Sequence, residues 1–260
     1  MPEGDTVHKL AAALAAVLCG RAVDSALLEG RSAASLTGGK VEQVSASGKH
    51  LFIVFDSGLM LRSHLGMYGT WHAYAAGQPW RKPERQASIV LAADGKRFVC
   101  FNAREVELVG RDSLRRKDLM GRWGPDLVVA EDFRLLAARA RALLSPATLL
   151  VDVLLDQRVA SGVGNVYKSE VLFLEREPPV RRLGTLSDHG LANLYRCAAG
   201  LLRSNLGGGR RVTRCVHDGR GSLWVYKRRG RPCHVCGTGI VRGVMGRHLR
   251  VTYWCPHCQA

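Results

Sequence analysis

Residues 233–258 read CHVCGTGIVRGVMGRHLRVTYWCPHC, and the spacing of their four cysteines sets what this end of the chain can be. Cys233 and Cys236 are two residues apart, as are Cys255 and Cys258, with eighteen residues between the pairs. Two such knuckles bring four thiolates to one tetrahedral ion and leave no open position, which predicts one structural Zn²⁺. His234, His248 and His257 lie close by, but the cysteines suffice. The intervening GIVRGVMGRHLRVTYW predicts a β-hairpin with Arg247 and Arg250 at its tip, suited to phosphate. Cys19, Cys100, Cys197 and Cys215 show no ligand spacing and are expected as buried thiols.

Upstream, LLDQRVASGVGNVYKSE (residues 154–170) runs from one helix through a glycine turn into another that begins near Asn165. The glycines allow close backbone approach, and the first N–H groups of the new helix form an anion site. Asn165 either caps that helix or donates to a phosphate; a purely structural corner between helices fits the pattern equally well. Around it the period is helical. Asp132 is expected to cap a helix through about Leu144, Ser145-Pro146 to open the next, and Ser187 to cap a long helix carrying Leu191, Leu194, Tyr195, Ala198 and Leu202 on one side. RDSLRRKDLMGRWGPD (residues 111–126), charged and broken by glycine and proline, reads as a connection.

The N-terminal half has another character. Residues 5–19 carry Val7, Leu10, Ala11, Leu14, Val17 and Leu18 at helical spacing, with Gly20 placed to end the helix. Short β-branched and aromatic runs follow, separated by turn signals at Asp56-Ser57-Gly58 and Asp94-Gly95. They predict an antiparallel sandwich or barrel with a helix at its entrance. Three stretches in this half bear on chemistry. Pro2-Glu3 is either helix punctuation or, once Met1 is trimmed, a secondary amine beside a carboxylate. Lys49 in ASGKHLFIVF enters a strand after a glycine turn, where a solvated edge lysine is the ordinary reading. Met67 and Tyr68 in SHLGMYGTW sit between glycines, as core residues or as groups able to fill a gap in a base stack.

The chain has 260 residues, enough for a sizeable core. Lys and Arg outnumber Asp and Glu by 38 to 22, for a net charge of +16. Residues 201–260 hold twelve of the basic residues and one acid, Asp218. A face so basic draws polyanions by neutralising phosphates and releasing counterions. No run approaches the length of a membrane span, and the N-terminus lacks signal-peptide regions, so a cytoplasmic protein is expected. The aromatic fraction is 7% without clustered rings, which argues against a single-strand stacking platform.

Taken in order, the N-terminal Pro-Glu, the GK before a strand, SHLGMYG, SGVGNVY, and a CxxC…CxxC finger with an Arg five residues before its third Cys resemble the formamidopyrimidine-DNA glycosylase/endonuclease VIII family. The resemblance runs from Pro2 to Cys258. It implies a two-domain α+β protein: a helix-capped antiparallel β-sandwich over residues 1–115, a linker over 116–130, a helix–two-turns–helix domain over 131–220 and a zinc finger over 221–260. It also implies a monomer that binds damaged double-stranded DNA, with bubbles and single strands as further candidate substrates. By matching positions, Pro2 is similar to the family's nucleophile, Glu3 to its acid and Lys49 to a lysine contacting phosphate near the lesion. Asn165 and Arg250 are similar to the pair gripping phosphates beside the flipped nucleotide, and Met67 and Tyr68 fall where members fill the vacated stack.

The implied function is a bifunctional glycosylase and abasic-site lyase that removes oxidised bases and cuts the strand by β- or β,δ-elimination. PEGDTV and Gly66-Met67-Tyr68 look closer to the endonuclease VIII branch, which acts on pyrimidines, and the run from Arg210 to Trp224 looks too short for a loop that caps a purine. Asp5-Thr6 stands where members often carry a glutamate, and Arg104 lies outside the expected wedge pattern. The competing reading is a zinc-finger DNA-binding protein that kept the fold and lost the chemistry.

Overall fold

The computed structural model describes residues 2–110, 122–216 and 218–260, and the chain divides into two compact units, Met1–Arg122 and Trp123–Ala260. Most of the connection expected around residues 111–126 lies outside the described residues.

The first unit opens with helix α1 (Gly4–Leu18), whose Val7, Ala11, Leu14 and Leu18 form a buried stripe. Gly20, at φ +80°, turns the chain out of it, as the position after a helix C-cap requires. Nine strands follow: β1 (Ser25–Leu28), β2 (Arg31–Ser32), β3 (Val41–Ser47), β4 (His50–Phe55), β5 (Met60–His64), β6 (Thr70–Ala75), β7 (Ala87–Ala93), β8 (Lys96–Phe101) and β9 (Glu105–Val109). They make two antiparallel sheets, ordered β2-β1-β7-β8-β6 and β3-β4-β5-β9. One core joins the helix stripe to inward residues of both sheets, among them Leu51, Ile53, Phe55, Leu61, Ile89, Leu91 and Phe98. Alternation explains the facing: in β7, Ile89, Leu91 and Ala93 are buried while their neighbours are half-exposed. Asp94 and Gly95, at φ +52° and +67°, form the tight β7–β8 turn that the sequence signals.

The second unit is built on α2 (Phe133–Leu143), α3 (Leu150–Leu155), α4 (Asn165–Leu174) and α5 (Asp188–Ser204), followed by the hairpin β10 (Val241–Met245) and β11 (Arg250–Trp254). Asp132 Oδ1 accepts the N–H of Leu135 at 2.9 Å and Ser187 Oγ that of Gly190 at 3.1 Å, so both expected caps form. The Ser145-Pro146 helix start does not. Residues 146–150 instead pair with 181–184: Leu150 N donates to Arg181 O (2.9 Å), Leu183 N to Thr148 O (2.8 Å) and Gly184 N to Pro146 O (2.8 Å). That pairing consumes the backbone groups a helix would use and delays α3 to Leu150. Tyr167, Tyr195, Leu136, Leu154, Val171, Leu194 and Leu202 fill the helical core, and a smaller cluster of Phe173, Val225, Ile240, Cys233 and Cys255 seats the finger. Of the cysteines expected as buried thiols, Cys100 is buried and Cys197 half-buried, but Cys19 and Cys215 are exposed, one at a helix end and one in a loop. Among the described residues no helix is long and apolar enough to cross a membrane.

Candidate active site

Pro2 immediately precedes Glu3, the N-cap of α1. The Glu3 carbonyl accepts the N–H groups of Thr6 and Val7 at 3.0 and 3.1 Å, fixing the backbone, while its side chain makes no cap and is 1% exposed. The Glu3 carboxylate is thus held out of bulk water, next to Pro2 in the chain, without capping its own helix. Asp5 is equally buried, and Thr6 Oγ1 donates to its Oδ1 at 3.3 Å. Met1 falls outside the described residues.

Helix α1 packs on β3, and β3 leads into the Gly48-Lys49 turn, with Gly48 at φ +57°. The Lys49 charge bears on two imidazoles. Burial first, then neighbouring cations including Lys49, push His50 down to about 2; burial also pushes His64 down to about 4. Both rings are therefore neutral at physiological pH, with centroids 4.8 Å apart. Arg62, 5% exposed, holds this group together. Its guanidinium donates to Glu107 Oε2 (2.7 and 3.0 Å) and Glu105 Oε2 (3.0 Å), and reaches His50 Nδ1 (3.0 Å).

His64 passes this order to the next turn. Its neutral Nδ1 accepts the Gly66 N–H at 3.2 Å, and Gly69 N donates to Leu65 O at 2.9 Å. A Cβ on Gly69 would stand 2.4 Å from that carbonyl oxygen, so only glycine closes the loop. Met67 and Tyr68 are pushed outward and are 52% and 74% exposed. They are not core residues. Arg104 stands beside them, its Cβ within 2.9 Å of where a Gly66 Cβ would be, and is 66% exposed.

In the second unit Asn165 is the first residue of α4, whose N-cap is Gly164; the asparagine does not cap the helix. Its Oδ1 faces Lys168 Nζ at 3.5 Å. Arg250 opens β11 as an exposed residue, and the preceding tip is anchored at Asp152 of α3, whose two carboxylate oxygens accept the Arg247 N–H at 3.0 and 2.8 Å. Glu170 of α4 ties down the chain leading to the finger: it accepts the Thr213 hydroxyl and the N–H groups of Trp224 (2.7 Å), Val225 (2.9 Å) and Tyr226 (2.8 Å).

The Sγ atoms of Cys233, Cys236, Cys255 and Cys258 all lie within 4.8 Å of one another. A tetrahedral Zn–S₄ centre with bonds of about 2.3 Å has sulfurs about 3.8 Å apart. Cys233–Cys258 and Cys236–Cys255, at 3.9 and 3.4 Å, bracket that spacing. Val235 N and Cys258 N donate to the sulfurs of Cys233 and Cys255, each at 3.4 Å, as knuckle amides do for bound thiolates. Burial raises the Cys255 and Cys258 thiols, whereas hydrogen bonding from Thr238 lowers Cys236 to about 6. A shared cation is what would let all four ionise together. The residues fit a structural metal ion.

Glu170, Lys168, Asp152 and the Arg62 cluster are absent from the sequence reading. Their signal was present only in part: Lys168 follows Asn165 at the i+3 spacing of one helix face, but the partners of Lys168 and Glu170 lie in segments far along the chain.

The family profile for the formamidopyrimidine-DNA glycosylase N-terminal domain matches residues 1–109, and that for the formamidopyrimidine-DNA glycosylase H2TH domain matches residues 124–215. Relatives include "Probable endonuclease 8 2" of Streptomyces coelicolor, 36% identical over all of this chain and 94% of its own length. Another is "DNA-(apurinic or apyrimidinic site) lyase Nei2" of Mycolicibacterium smegmatis, 37% identical over all of this chain and 99% of the relative. Among solved structures, MutM (Fpg) of Thermus thermophilus is 28% identical with a TM-score of 0.80, covering 99% of this chain and 98% of that one. The fold of Lactococcus lactis Fpg, solved with DNA containing an AP site, superposes with a TM-score of 0.83 at 23% identity over 99% of both chains. Matched along its whole length, the chain belongs to the formamidopyrimidine-DNA glycosylase/endonuclease VIII family.

Proposed function

We propose that this protein is a DNA glycosylase and abasic-site lyase of base-excision repair, acting through the amine of Pro2 once Met1 is removed. The observation that carries the reading is the start of α1: a Glu3 carboxylate buried to 1% directly after Pro2, in a chain that matches endonuclease 8 relatives from end to end. An extruded nucleotide presents C1′ to the amine. The Pro2 nitrogen lone pair forms the N–C1′ bond, the base departs with the glycosidic electron pair, and Glu3 protonates the ring oxygen as the sugar opens to an iminium. The iminium acidifies C2′; loss of that proton expels the 3′ phosphate by β-elimination, and a second elimination expels the 5′ phosphate. A free α-amine has a pKa of about 7.7–8.0, so part of it is already unprotonated at neutral pH.

Lys49, Asn165 and Arg250 serve as phosphate contacts, and Met67 and Tyr68 occupy the space the flipped nucleotide leaves. One Zn²⁺ on Cys233, Cys236, Cys255 and Cys258 holds the finger, with no part in the chemistry. Oxidised pyrimidines are the preferred lesions. The supporting observation is how tightly the segment after α5 is tied: Asn205 Nδ2 donates to Val212 O, and Val212 N to Asn205 Oδ1, both at 2.7 Å. With Glu170 holding Thr213 and Trp224, little chain is left to cap a purine.

The test is single-turnover cleavage of duplexes carrying an abasic site, 5-hydroxyuracil or 8-oxoguanine by wild type, Pro2→Ala and Glu3→Gln, with zinc stoichiometry measured on the same samples. Expected are one zinc per chain, faster release of 5-hydroxyuracil than of 8-oxoguanine, and loss of base excision in both variants. Full activity in Pro2→Ala would overturn the mechanism; faster 8-oxoguanine release would overturn only the pyrimidine preference.

A further inference from the structure

Resting on the functional reading above, we infer that Lys168 is a positioning residue that couples the asparagine at the start of α4 to the finger strand carrying Arg250. Its side chain is 0% exposed, on a helix whose Ser169 and Glu170 are buried as well. Burying an ammonium is costly unless its donors are satisfied. Nζ donates to Thr252 Oγ1 at 2.8 Å and to Val251 O at 3.1 Å, both on β11, and faces Asn165 Oδ1 at 3.5 Å. Thr252 is itself fully buried.

Two consequences follow from the donor inventory. Lysine has three donors and no acceptor, so the amide atom facing it is the oxygen of Asn165. That choice turns Nδ2 away from Lys168 and leaves its N–H donors for an anion at the helix start. Second, Val251 and Thr252 directly follow Arg250, so the same ammonium fixes the strand at the residue where the arginine leaves it. Asp152 secures the other end of the tip through the Arg247 N–H. Lys168 thus sets the spacing of two phosphate-binding groups that lie 85 residues apart in sequence without touching the phosphate itself.

The test is a double-mutant cycle on the full-length zinc-loaded protein, using a duplex with a tetrahydrofuran abasic analogue for affinity and borohydride trapping on an abasic duplex for turnover. Lys168→Met is expected to weaken binding about tenfold, as loss of one charged anchor worth about 1.4 kcal/mol would. The loss should appear in the DNA concentration giving half-maximal trapping far more than in the rate at saturation. Combined with Asn165→Ala or Arg250→Ala, Lys168→Met should add less than about threefold further, because the groups act as a unit. Thr252→Val, which removes only the finger-side acceptor, should weaken binding in the same direction and show the same coupling to Arg250→Ala; it carries the cycle if Lys168→Met does not fold. Effects that simply multiply, or a defect confined to melting temperature, would overturn the inference and leave Lys168 a packing group. Failure of wild type to trap would instead refute the lyase reading, while the binding cycle still decides the role of Lys168.

Discussion

Replacing Glu170 by Gln removes one charge and changes one atom, and the structure says which contacts fail. In the native protein Oε1 accepts the N–H groups of Val225 and Tyr226, and Oε2 accepts that of Trp224 together with the Thr213 hydroxyl. Burial pushes this carboxyl above its usual range and the four donors pull it back. A glutamine amide can keep its oxygen on Val225 and Tyr226, but its NH₂ then points at the Trp224 N–H, donor against donor. Thr213 can rotate its hydroxyl to accept; the backbone N–H of Trp224 has no such freedom. The cost is one buried orphan donor plus the charge-assisted part of the remaining bonds, partly offset by no longer burying a charge, which sums to about 2–4 kcal/mol. For a unit of this size that lowers the melting temperature by roughly 8–15 °C. Calorimetry reads the shift, and hydrogen exchange locates it: the amides of Trp224, Val225 and Tyr226 should lose protection first. Thr213→Val, which leaves no backbone donor stranded, should cost less than about 1 kcal/mol. Equal losses in the two variants, or a loss in Glu170→Gln below about 0.5 kcal/mol, would mean that the Trp224 N–H is not left stranded.

Further predictions concern the histidine cluster, the hairpin tip and the metal. His64 is held near 4 when folded and lies near 6.5 when unfolded, so below pH 6.5 only the unfolded chain takes up the proton, and stability falls until about pH 4. His64→Asn, which keeps an acceptor for the Gly66 N–H, should therefore gain on wild type by up to about 1.4 kcal/mol per pH unit across that window in urea titrations, and parallel pH profiles would contradict it. Gly246→Ala places a Cβ 2.5 Å from Asp152 Oδ1 at a backbone φ of +78°. It should cost about 1–3 kcal/mol and weaken binding to abasic duplex DNA; unchanged affinity would separate the tip from DNA contact. Stripping the metal with a mercurial should release one zinc and abolish DNA binding while the melting of an isolated N-terminal sandwich signal stays put.

How legible this protein was depends on the range of the interactions. Asp132 and Ser187 announced their helices because a cap is satisfied within three residues, and Asp94-Gly95 announced its hairpin for a similar reason. The four cysteines were legible because ligand spacing is a local pattern in each knuckle. Ser145-Pro146 misled because its signal is local while the winning hydrogen bonds come from residues 181–184. Asn165 was readable as standing at a helix start, but not that its oxygen faces Lys168, since the third party to that contact is Thr252. The order β2-β1-β7-β8-β6 pairs β1 with β7 across sixty residues of chain, and no turn chemistry encodes that neighbour. Arg62, with partners at Glu105 and Glu107, was hidden in the same way.

In the proposed mechanism Pro2, once Met1 is removed, forms the covalent bond to DNA. The direct measurement is peptide mapping by mass spectrometry of the borohydride-reduced complex with an abasic duplex, on protein first shown by intact mass to lack Met1. The sugar fragment should be found on the N-terminal peptide at Pro2, and protein retaining Met1 should yield no adduct. An adduct on Lys49 or another lysine, with the N-terminal peptide unmodified, would contradict it.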